Sequence, residues 1–100
     1  MNIKTLVAAT LIIMSSQVHA DMTENERKAG DACLAATRDK LKDPQSMQYK
    51  KMISSLNPKS NDYTVLFEMN AKNGYGGYGN WSIVVCTTDA SFNVTYVHWH

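Results

Sequence analysis

Hydrophobic positions recur along this chain in three rhythms, and each predicts a different element. From Leu6 to Met14 they run nearly unbroken, behind a basic start at Lys4 and ahead of the polar Ser15-Ser16-Gln17. Between Thr23 and Lys42 they fall at helical spacing: Ala29, Cys33, Ala36 and Leu41, with Ala32 and Leu34 beside them. From Met47 onward apolar and polar residues alternate, the period of strands with one face on a core.

The first run reads as an export signal. A basic start, a short apolar stretch and Val18-His19-Ala20 at the −3 to −1 positions make the three parts of a secretory signal peptide, residues 1–20. The stretch is shorter than the ~20 residues needed to cross a bilayer, and no Cys follows it to carry a lipid anchor. The expected mature chain starts at Asp21 and works in the periplasm or is secreted. No stable membrane span is expected after cleavage.

The helical stretch opens on a capping box, Thr23 with Glu26 three residues on. Acids stand early and Arg38, Lys40 and Lys42 late, as the helix dipole favours, and Asp43-Pro44 should stop the helix near Lys42. Its apolar stripe is narrow and made of small residues, so it should lie close to whatever it covers. Four strands are expected after it. Met47–Ile53 comes first, with an irregularity at Lys50-Lys51. Asn57–Asp62 is a loop by composition. Tyr63–Ala71 alternates cleanly, Tyr63, Val65, Phe67 and Met69 facing one way. Trp81–Thr88 is apolar on both faces through Ile83-Val84-Val85, as a central strand would be, and Phe92–Trp99 should hold Phe92, Val94 and Tyr96 in register. Short connections favour antiparallel neighbours. The expected class is α+β: one N-terminal helix packed on a four-stranded antiparallel meander, residues 21–100 forming a single small domain.

Charge and cysteine content narrow the function classes. Lys4 leaves with the signal, so nine of the ten basic residues remain against nine acidic ones. A near-neutral exported chain has no basic stripe for nucleic acid. A domain this small has a thin core and commonly needs a staple. The even pair Cys33 and Cys86 supplies one, a disulfide closing a loop of about fifty residues and contributing roughly 4 kcal/mol in the chain-entropy model. Two buried free thiols are the alternative. A redox pair would need Cys-x-x-Cys spacing, which is absent.

Candidate chemistry concentrates in Lys72–Trp81. Gly74, Gly76 and Gly79 match G-x-G-x-x-G, but a dinucleotide fingerprint needs a helix after it and here a strand follows. What remains is a Gly-rich loop bearing Tyr75 and Tyr78, with Trp81 beside it. Tyr and Trp give large contact area at low entropy cost, while Gly and Asn permit unusual backbone shapes. Lys72, Asn73, Tyr75, Tyr78 and Trp81 are the candidate binding residues. The competing reading is a wide hairpin connection, with Asn73-Gly74 as turn chemistry and its tyrosines folded over the sheet edge.

Leu41-Lys42-Asp43-Pro44-Gln45-Ser46 and Asn70-Ala71-Lys72-Asn73-Gly74-Tyr75-Gly76-Gly77-Tyr78 together resemble an uncharacterised family of small exported proteins of proteobacteria and their prophages. Its elements are L-K-D-P-x-S and N-A-K-N-x-Y-G-G-Y, and the resemblance spans about residues 33–86. In that family a Cys often precedes the second element, where this chain has Glu68 and Met69, so no disulfide pairing carries over. The resemblance implies a bacterial periplasmic setting and no mechanism.

No nucleophile–base set or paired-carboxylate arrangement stands out, so no catalytic residue is named and an enzyme is not expected. His98 and His100 at the chain end offer too few ligands for a closed metal site, and neither a metal nor a cofactor is expected. The expected function is a non-catalytic binding protein using the Gly/Tyr loop, its partner a protein of the bacterial envelope, with a glycan as a second ligand class. An inhibitor or immunity protein of an envelope enzyme or toxin, and an accessory subunit of an envelope complex, are the alternatives.

Overall fold

Thr23 starts the helix as its spacing implies. Its hydroxyl accepts the Glu26 backbone N–H at 3.0 Å, and the Glu26 carboxylate accepts the Thr23 N–H at 2.8 Å. The computed structural model describes residues 22–100. The signal peptide expected at residues 1–20 and the cleavage before Asp21 lie outside the described residues. Helix α1 spans Glu24–Arg38, a turn shorter than the Lys42 boundary expected from sequence. The Lys40 and Leu41 N–H groups donate to the Thr37 and Arg38 carbonyls, three residues back, at 3.0 and 3.1 Å. That tightening ends the helix ahead of Pro44, which begins a single 3-10 turn, Pro44–Ser46.

Four strands follow: β1 (Gln48–Asn57), β2 (Asp62–Asn70), β3 (Ser82–Thr88) and β4 (Val94–Trp99). They form one antiparallel sheet in the order β1-β2-β3-β4, the α+β meander expected from sequence. β1 breaks register between Lys50 and Ile53, with Lys51 at φ +57°, a bulge at the place where the alternation falters. A second break was not legible. Thr87 faces Tyr96 but Thr88 faces Val94, which leaves Thr95 as an extra residue. The expected shared register of Phe92, Val94 and Tyr96 is therefore corrected. Phe92 sits in the turn at φ +67°, and across the extra residue Tyr96 turns to the opposite face from Val94. Val97 and Trp99 take the helix side in its place, opposite Cys86 and Val84.

α1 lies across one face of the sheet. Ala29, Cys33 and Leu34 meet Tyr63, Val65, Phe67, Met69, Val84 and Cys86 in the core. The approach is close: a Cβ on Gly30 would stand 2.7 Å from the Met52 sulfur. Cys33 and Cys86 are joined in a disulfide that ties α1 to β3. Among the described residues no helix lies over the other face. Ile53, Leu66, Ile83, Val85 and Tyr96 remain exposed there, so β3 is central within its sheet yet covered on one side only.

The β3–β4 turn is held by Asp89. Its carboxylate accepts the backbone N–H groups of Ser91 and Asn93, both at 2.9 Å, and the Asn93 side-chain amide at 3.2 Å. The backbone bond from Asn93, then its side-chain amide, then the Ser91 N–H hold this carboxyl below the ordinary carboxylate range. A carboxyl depressed in the folded state adds stability above its unfolded value near pH ~4, and that contribution is lost as pH falls through the folded value. Asp89→Ala should therefore lower the melting temperature at pH 7, and the gap to the native protein should narrow as pH falls through the depressed folded value. Paired melts across pH 2–7 check this, and a gap independent of pH would exclude the charged turn as its source.

Candidate functional site

The Gly/Tyr segment folds as a small hairpin at the end of β2. Lys72 bridges Tyr78, the Asn73 N–H donates to the Gly77 carbonyl at 2.9 Å, and the Gly76 N–H donates to the Asn73 carbonyl at 3.1 Å. Gly76 takes φ +83°, the left-handed position that closes a three-residue hairpin loop and that a side chain would strain. The Asn73 side-chain oxygen accepts from the Tyr75 and Gly77 N–H groups at 2.8 and 3.3 Å. Asn73 thus folds the loop from within, the task that Asn does well in turns.

The two tyrosines part company. Tyr75 stands at the tip and is 99% exposed. Tyr78 is 45% exposed, and its hydroxyl donates to the Ser46 carbonyl at 3.1 Å. Ser46 also receives the Lys72 N–H on its hydroxyl at 2.8 Å, so the 3-10 turn anchors the base of the hairpin. Lys72 places its ammonium 5.9 Å from the Tyr78 ring centre. Trp81 lies apart from these four. It precedes β3, and the Lys50 ammonium stacks on its ring at 4.1 Å. Lys50 and Lys51 also flank Glu68, at 3.9 and 3.4 Å, on the face away from α1. Of the five residues singled out from sequence, Lys72, Asn73, Tyr75 and Tyr78 form one hairpin, while Trp81 borders the open sheet face.

Sequence reasoning missed what lies under the hairpin. A cleft of about 270 Å³ opens between it and the chain leaving α1. Leu41, Met69 and Trp99 form an apolar floor, and Lys40, Lys42 and Lys72 stand around it. Asn70, itself buried, fixes one wall: its amide donates to the Gly79 carbonyl at 3.0 Å and its oxygen accepts the Ala71 N–H at 2.8 Å. Lys42 runs beneath the turn, within 3.8 Å of where a Cβ on Gly74 would be. The only advance signal was Lys40 and Lys42 flanking the end of the helical pattern, which reads equally as dipole compensation.

No helix among the described residues is long and apolar enough to cross a membrane. Comparison with protein-family models, curated proteins and solved structures gives no match for this chain.

Proposed function

We propose that this is a non-catalytic binding protein of the bacterial periplasm, or a secreted one, which engages a protein of the envelope through the tip of the 72–78 hairpin. One observation carries the reading. Tyr75 is fully presented to solvent on a loop whose backbone is pinned at Asn73, Gly76 and Gly77. The backbone of an ordered turn has little conformational freedom left to lose on binding, a tyrosine has only two side-chain torsions to fix, and burial against a partner is what it gains. Tyr78 serves the scaffold through its bond to Ser46.

Tyr75→Ala and Tyr78→Ala separate these roles. Interface aromatics commonly cost about 2 kcal/mol or more on truncation, roughly thirtyfold in affinity. Tyr75→Ala should therefore weaken capture of the partner from envelope extract by about that factor, while stability changes by no more than about 0.5 kcal/mol. Tyr78→Ala should instead lower the melting temperature. Undiminished capture by Tyr75→Ala would place the binding surface elsewhere.

A further inference from the structure

We propose that the cleft beneath the hairpin receives the carboxylates of an acidic peptide segment, belonging to the same partner that Tyr75 contacts; in that respect it rests on the reading above. The argument is electrostatic and geometric. Lys40, Lys42 and Lys72 border one cleft whose lining contains no Asp or Glu. The ion pairs among the described residues use Arg27, Lys50 and Lys51, and none involves these three. The negative end of α1 accounts for a lysine or two just past Arg38. It does not account for Lys72, which comes from the hairpin that follows β2, more than thirty residues after α1 ends. Like charges brought together around one cleft repel each other, and an anion relieves that cost. Asn73 and Asn80, in the same wall, add uncharged hydrogen-bonding groups.

The lining also selects among anions. Phosphate sites typically use the arginine fork or a nest of backbone N–H groups, and no arginine lines this cleft. Ammonium groups on flexible stems around an apolar floor suit carboxylates spaced along a peptide, whose methylenes rest on Leu41, Met69 and Trp99. Tyr75 stands on the same hairpin, so a single peptide segment can meet both.

The test uses the intact, disulfide-bonded mature protein, 15N-labelled and titrated with an end-blocked triglutamate peptide, with inorganic phosphate, and with phosphatidylglycerol vesicles. The peptide should shift the backbone amides of Lys72, Asn73 and Asn80, and its affinity should fall as ionic strength rises through about 0.1 M, where the screening length is about 10 Å. Replacing Lys40, Lys42 and Lys72 together by Gln should weaken it about tenfold, the combined loss of three weak, screened charge pairs. Lys59→Gln, in the β1–β2 turn, should leave it unchanged. Peptide binding that is absent, or indifferent to the triple variant, overturns the proposal. So does binding of phosphate or vesicles at these amides in place of the peptide, which would assign the cleft to phosphate. Partner capture separates this proposal from the hairpin reading. Loss with Tyr75→Ala but not with the triple variant overturns the acidic segment and leaves the hairpin standing. Loss with the triple variant but not with Tyr75→Ala supports the cleft while the tip reading fails.

Discussion

Replacing both Cys33 and Cys86 by Ala is expected to remove about 4 kcal/mol of stability, one of the two largest losses expected in this fold. The bond links residues 53 apart in sequence, so its absence frees a long loop in the unfolded chain. Geometry adds to the effect. α1 contributes Ala29, Gly30, Cys33, Leu34 and Thr37 to the interior, and Leu34 is the one large apolar side chain among them. So little buried apolar surface holds the helix to the sheet weakly, and the covalent tie does what packing cannot. A domain of this length has roughly 4–12 kcal/mol in total, so the variant should be marginal at 37 °C. Denaturant titrations of the native and double-Ala proteins, followed by helical circular dichroism, read the loss directly. A difference under about 1 kcal/mol would mean that α1 is held by its packing alone.

Much of this architecture is legible in the residues because local rules and the tertiary answer agree. The Thr23–Glu26 capping box sets the start of α1, and the alternation of Tyr63, Val65, Phe67 and Met69 sets the buried face of β2. Disagreements arise where distant parts decide. The β4 register hinges on the extra Thr95, and no periodicity announces a bulge whose cause is the pairing with β3. Phe92 adopts a left-handed φ uncommon for a bulky residue, its ring set 5.6 Å from that of Tyr63, a partner far away in sequence. The candidate site divides in the same way. A Gly/Tyr hairpin is visible as composition. Which tyrosine it presents depends on Ser46, 32 residues before Tyr78, and the lysine cleft draws on residues 40–42 and 72. Linear spacing cannot join such positions.

The second large effect tests the claim that the sheet has one covered face. Phe67 and Ile83 both lie in the two inner strands, and in sequence they look equally like core. Phe67 is 1% exposed, its ring edge-on to Tyr49 and its neighbours the disulfide-tied core. Ile83 is 63% exposed, across from Glu68 on the uncovered side. Phe67→Ala should therefore cost about 3–5 kcal/mol, the removed transfer energy plus the cavity left behind. Ile83→Ala leaves no cavity and removes a side chain still largely in water, so its cost should stay below about 1 kcal/mol, most of it lost strand propensity. The two values come from chemical denaturation of the native protein and both variants at one matched protein concentration. If Ile83→Ala approached the cost of Phe67→Ala, the face bearing Ile53, Leu66, Ile83, Val85 and Tyr96 would be covered in solution. Its exposure in the isolated chain would then mark an assembly surface.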